Sequence, residues 1–329
     1  MKITVPACIS ASLEYTKSTR PYQAFETLAY KVMDFVCPKN ELTERRGFKF
    51  IPNFVVNALG YMTYALACPS YKTLKPTESD ANLKALVKDV NEVFNNLVAE
   101  VKQRCPSTEN MSWEIRVKQD DTVNAFCCPG GKVAITTGIL EMMKGKETNN
   151  IKRKDMIAAV LGHEIVHAVA EHGAKRMQIS IFSSLVIKCA AYGLSVLFVR
   201  KPNIDQALIG NEKKKAEKEA TEKFIENRNR FCKTIENICS LPTFFLETGH
   251  SQSNEFEADE FGIEIAHKAK YNINASVSLQ QMFLGMKGQS ENQQKGWFQK
   301  AGDAISSHPP SDERLQKNRE TINRLKNPA

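Results

Sequence analysis

The stretch HEIVH, residues 163–167, holds the residue types that chemistry on a metal ion requires. On an α-helix, residues four apart stand one turn above each other, so His163 and His167 direct two imidazole nitrogens at a single ion. Glu164 then stands beside the ion and not on it. That is the place for a general base, which takes a proton from a water whose pKa the ion has lowered to about 7. Two histidines do not hold a catalytic zinc; a third protein ligand is needed, with one position left open. Glu171 lies on the correct face but one turn too far along. His172, nine residues from His163, is half a turn out of phase and is not expected to be a ligand.

A better third ligand lies far downstream in NEFEADEFG, residues 254–262. Glu255, Ala258, Asp259, Gly262 and Ala266 fall on one helical stripe. Glu255 supplies the ligand, Asp259 one turn later accepts the second imidazole N–H of a ligating histidine, and the small residues let two helices approach closely. Taken alone this stretch also reads as an acidic surface helix; it is the pairing with HEIVH that favours one zinc ion per chain.

Several elements must position these groups. An amphipathic helix is expected in the first forty residues, through Phe25, Leu28, Ala29, Val32, Met33 and Val36, ended by Pro38. The run Phe50 to Cys68 reads as a buried or interfacial helix, and residues 80–101 carry the helical period through Leu83, Leu86, Val87, Val90, Phe94, Leu97 and Val101. The period then changes to two: Trp113, Ile115 and Val117 alternate with charged residues, and Lys132 to Thr137 alternates again after the Pro129-Gly130-Gly131 break. A small antiparallel sheet is the expectation, and the fold class is α+β, mainly helical. From Asp155 the pattern is helical to beyond His172, with Gly173 a place where that helix bends or ends. Ile179 to Val199 is an apolar stretch broken by Lys188, readable as a membrane contact or as a buried helix. The organisation expected is an N-terminal extension (1–42), a helical lead-in (43–110) and a main domain (111–329) that includes the apolar helix 179–199 and a charged insertion at 203–233.

The chain has 329 residues, 42% apolar and 25% charged, which is ordinary for a folded globular protein. Its nine cysteines show no CxxC pair, and the start lacks the charged-then-apolar order of a cleavable signal peptide; a reducing compartment or a membrane-associated setting is expected. Half of the net charge of +8 sits between Arg200 and Lys233, where ten Lys/Arg face six Asp/Glu. No zinc-finger spacing or aromatic-basic interleaving accompanies it, so nucleic acid is not expected as a partner.

HEIVHAVAEH and SQSNEFEADEFG, with VNAFCCPGGKVAITTGIL before them and SHPPSDERL after, resemble the zinc metallopeptidase family of the CAAX prenyl endopeptidase, the bacterial membrane protease HtpX and the mitochondrial inner-membrane stress-activated peptidase. The last subgroup also shares a lead-in similar to ERRGFKFIPNFVVNALGYMTYAL, so the resemblance runs from about Thr43 to Leu325. It implies a zincin-type fold with His163, His167 and Glu255 on zinc and Glu164 as base. It also implies that His308 and Arg314 stand near the metal, His308 as a regulatory plug or as a catalytic helper. The strand from Gly131, Lys132, Val133 and Ala134 is implied to be an edge flanking the active-site helix. An exposed edge of that kind can pair with an extended peptide backbone. The expected function is a zinc endopeptidase acting on protein or peptide substrates, in possible contact with a membrane surface. The alternative is a zinc-stabilised chaperone or client-binding module without turnover.

Overall fold

A computed structural model describes residues 37–47, 49–75, 78, 80–144, 151–203, 209–247, 251–290 and 308–328. The amphipathic helix expected over Phe25 to Val36 lies outside these residues. Helix α1 (Asn53–Ala67) follows Pro52, whose missing N–H is no loss at a helix start. Helix α2 (Ala81–Arg104) begins at Asp80, whose carboxylate accepts from the backbone N–H groups of Asn82 and Leu83. Its expected stripe is the buried face, with Val87, Val90, Phe94, Leu97 and Val101 in the main core.

Four strands form one sheet: β1 (Thr73–Leu74), β2 (Glu114–Lys118), β3 (Ala125–Cys128) and β4 (Lys132–Thr136), in the order β1-β2-β4-β3. The sheet is mixed, not antiparallel as expected: β2 and β4 run parallel, and only the β1–β2 and β3–β4 pairs are antiparallel. An alternating sequence says which face of a strand is covered, but not which neighbour it takes. Here the Pro129-Gly130-Gly131 turn, with both glycines at positive φ (86° and 81°), folds β4 back into the slot between β3 and β2. All five β4 residues are buried. The expected edge is therefore an interior strand. Lys132, Val133 and Ala134 are paired on both sides, and the Gly131 carbonyl already accepts from the Glu114 N–H. The terminal strands are β1 and β3, and β3 is the one beside β4.

After α3 (Thr137–Met143), helix α4 (Arg153–Val169) carries HEIVH. It stops before Gly173, because Glu171 adopts a left-handed conformation (φ 59°) and α5 (His172–Phe198) starts in a new direction. Lys49 holds Glu171 there through a 2.6 Å ion pair. The apolar stretch 179–199 lies almost wholly in α5, and most of the charged segment 203–233 lies in α6 (Gly210–Glu247), which packs along it. Then come α7 (Gln252–Lys268), α8 (Asn274–Ser290) and α9 (Asp312–Lys326).

Helix α7 lies directly on α4. At their crossing two glycines face each other: a Cβ on Gly162 would meet the Gly262 carbonyl oxygen at 2.9 Å, and one on Gly262 would meet the His163 nitrogen at 2.9 Å. The small-residue stripe read from NEFEADEFG thus sets how close the two helices come. Gly162→Ala should force them apart and lower unfolding stability by about 1–3 kcal/mol, measured by urea denaturation; an unchanged midpoint would show that the crossing is not tight.

Candidate metal centre

The close crossing brings Glu255 of α7 to the face of α4 that bears His163 and His167. The two imidazole Nε2 atoms are 3.0 Å apart, and each lies 3.3 Å from a Glu255 carboxylate oxygen. His308, just before Pro309 and Pro310, adds a fourth nitrogen: its Nδ1 is 3.2 Å from His163 Nε2 and 3.1 Å from Glu255 Oε1. One donor atom from each of these four residues lies within 4.8 Å of the others. Glu164 points to the same place, its Oε1 3.5 Å from His308 Nε2, and it is buried.

These donors do not make sense as a hydrogen-bonded cluster. His163 Nδ1 is committed to Asp259 Oδ1 at 2.8 Å, and His167 Nδ1 to His172 Nδ1 at 2.8 Å. If both Nδ1 atoms carry the proton, the nitrogens that face each other are left with lone pairs, beside a buried carboxylate. Such a group asks for a positive charge. Burial alone would keep His163 neutral, yet Glu255 and Asp259 outweigh it and carry the imidazole up to about 10. Burial would likewise raise the Glu255 carboxyl, but His163 and the surrounding hydrogen bonds hold it far below the usual range. A divalent cation bound by two imidazoles, a carboxylate and one further donor fits this set, which is a zinc donor set.

Every residue picked out for the centre is brought together, and Glu171 is not; it faces Lys49. Arg314 is engaged more tightly than proximity alone requires. Its Nε and Nη2 donate to the two Asp259 oxygens at 2.8 Å each, and its Nη1 lies 2.8 Å from Glu255 Oε2. Asp259 is thereby fixed on one side by Arg314 and on the other by His163. Glu164 is raised by burial, offset in part by His308 and His163.

Two residues were missed. His172 stands outside the group of converging donors, but it contacts one of them: it bridges His167 to Glu257, with its Nε2 2.8 Å from Glu257 Oε2, and Arg45 reaches the same oxygen at 3.1 Å. Counting phase along one unbroken helix puts His172 some 140° away from His167; the left-handed Glu171 is what folds it back. The signal available was Glu257 itself, a second carboxylate two residues from each of Glu255 and Asp259.

Both β3 and β4 pack against α4, β3 the more extensively. Asn124 and Ala125 at its start line a cavity that also includes Val160, His163, Glu164 and His308.

Comparison with known proteins agrees with this geometry. The mitochondrial metalloendopeptidase OMA1 of Schizosaccharomyces pombe is 30% identical over 223 residues, which cover 67% of this chain and 50% of that protein. OMA1 of Bos taurus is 28% identical over 228 residues, 68% of this chain and 35% of that protein, so the chain spans half or less of these curated relatives. The metalloprotease LoiP of Escherichia coli is 23% identical over 158 residues, 47% of this chain and 57% of its own. Residues 85–322, which contain the helix pair, the four converging donors and the Arg314 clamp, match peptidase family M48, and the chain belongs to that family.

Proposed function

We propose that the protein is a zinc-dependent endopeptidase. The observation that carries it is the convergence of His163, His167 and Glu255 on one point with a buried carboxylate, Glu164, next to it and outside the ligand set. One zinc ion would be held by those three residues, and when bound it would acidify a water and polarise a peptide carbonyl. Glu164 takes the proton of the attacking water and hands it to the leaving amine. Burial, which raises its pKa, suits it to both halves of that transfer. Asp259 fixes the tautomer of His163 by accepting from its Nδ1–H, and Arg314 keeps Asp259 charged and in place. His308 occupies the space between Glu164 and Glu255, so substrate entry requires its ring to leave; in this arrangement it acts as a plug. An extended substrate backbone is offered the outer edge of β3, which takes over the role expected of β4. A zinc-stabilised binding module has no use for a base beside an open position, which disfavours that alternative.

Attachment to a lipid surface is part of this proposal. Helix α5 is the one helix among the described residues long and apolar enough to cross a membrane, by length and composition. It exposes Phe182, Leu185, Leu197 and Phe198, and α1, which packs on it, exposes Phe54 and Leu66. Along its other side runs α6, with Arg228 stacked over Tyr192 of α5 at 4.8 Å. Immersing that charged helix would be costly, which favours contact along one face.

Three outcomes follow from this reading. Glu164→Gln should keep about one zinc per chain, measured by metal analysis, and lose peptide cleavage by several orders of magnitude; a fully active variant removes Glu164 from the mechanism. Were His167 to bind the ion through Nε2, its Nδ1–H would donate to His172, and His172 would donate to Glu257. Losing that support in His172→Phe should weaken zinc binding about 10–100-fold in chelator competition, with equal affinity showing that His172 only packs. The protein should stay with lipid vesicles in high salt and be released by detergent; release by salt alone would make the contact electrostatic.

A further inference from the structure

Helix α5 begins at the metal centre, where His172 contacts His167, and α6 ends at Glu247, eight positions before Glu255 of the same centre. The two packed helices therefore run antiparallel. The end of α5 and the start of α6 share the far end of this hairpin, about 40 Å along α5 from the centre. Positive charge collects there. Of the net +4 between Arg200 and Lys233, +3 falls between Arg200 and Lys215, where five Lys/Arg face Asp205 and Glu212. Arg200, Lys201, Lys213, Lys214 and Lys215 are all exposed, and among the described residues none of them pairs with a carboxylate. Farther along α6 the charges are matched: Lys218 lies 4.0 Å from Glu222, and Arg230 2.9 Å from Glu226. Arg200 and Lys201 suit the negative end of α5, but Lys213, Lys214 and Lys215 crowd the start of α6, where the helix dipole disfavours cations. Glu212 is the one acidic residue in that first turn. Apolar surface is uncovered at the same end: Leu197 is 71% exposed, Phe198 69% and Ile209 80%. Unpaired cations beside exposed apolar side chains fit a partner that presents hydrocarbon beneath a layer of negative charge.

We propose, resting on the lipid-surface reading above, that the far end of the α5–α6 hairpin recognises anionic phospholipid. Leu197, Phe198 and Ile209 enter the boundary between head groups and acyl chains, and the five cations bind the phosphates of acidic head groups around them. A neutral lipid surface takes the apolar side chains but leaves the cations unpaired. An acidic protein would pair the cations, yet the exposed apolar face of α5 continues away from them through Leu185 and Phe182, which a lipid surface covers along its length. The cations therefore select the lipid, while the apolar face of α5 supplies the attachment.

The test is flotation of the full chain with two kinds of vesicle, one of phosphatidylcholine alone and one in which every third lipid is phosphatidylglycerol. Each Lys or Arg near an anionic surface contributes about fivefold in affinity, so the acidic vesicles should bind at least about tenfold more tightly. Added salt should shrink that preference while binding to both vesicles persists through α5. Changing Lys213→Gln, Lys214→Gln and Lys215→Gln together keeps good helix formers in α6 and should remove at least about tenfold of the preference. A control that removes the same charge from exposed positions on α2 and α7, Lys84→Gln, Lys88→Gln and Lys268→Gln, should leave it unchanged. Equal binding to the two vesicles, a preference that survives the α6 changes, or an equal loss from the control changes overturns the anionic-lipid proposal and leaves the lipid-surface reading standing. Binding to neither vesicle, with or without pairing of two copies through α5, overturns both.

Discussion

Everything in this molecule is arranged around a cost: three imidazole nitrogens and a carboxylate are packed within bonding distance of one another in a site where Glu255 is 2% exposed. Unpaired, such a group is strongly unfavourable, since removing one partner of a buried charged cluster typically costs about 3–5 kcal/mol. A cation at the centre removes the repulsion, and the surroundings are built to hold the donors ready for it. Both orienting carboxylates come from the helix that supplies the ligand. Asp259 secures His163 directly, and Glu257 secures His167 through His172. One short stretch of α7 therefore supplies a ligand and both supports.

That economy works only if α7 lies close to α4 and in one register. The Gly162–Gly262 contact sets the separation, the His163–Asp259 bond ties the two helices in register, and Arg314 of α9 holds Glu255 and Asp259 of α7 together. The lead-in adds a third constraint. Arg45 reaches Glu257, Lys49 pairs with Glu171, and the Asn40 side chain donates to the Val169 carbonyl at 2.7 Å. The chain ahead of α1 is thus tied to both ends of the break between α4 and α5, which explains how a non-glycine residue is kept in a left-handed conformation at that position.

Much of the centre was legible in the sequence because its parts are local. The spacing of His163 and His167, the base between them, and the Glu255–Asp259 pair one turn apart are properties of single helices. What the sequence hid is non-local. The alternation in β2 and β4 records a covered face, while the insertion of β4 between β3 and β2 depends on where a glycine turn lets the hairpin fold. His172 was missed as a partner of His167 because helical phase holds only while the helix is continuous, and Glu171, at the break, pairs with Lys49, 122 positions away in sequence. His308 and Arg314 gave no periodic signal and were visible only through family resemblance.

The segment from His308 to Arg314 combines two opposed demands. Arg314 is 3% exposed and bonded to two carboxylates, so it is an anchor. His308 is the most exposed of the four converging donors and lies between Glu164 and Glu255. Pro309 and Pro310 lie between them, and proline fixes φ near −65°. Few backbone rotations are therefore left to carry a movement of His308 into the helix that bears Arg314. The Pro309 carbonyl also accepts from Arg314 Nη1 at 3.2 Å, which ties the stiff link itself to the anchor. None of the Arg314 contacts that hold Asp259 passes through the His308 ring, so a movement of that ring alone would leave the support of His163 in place.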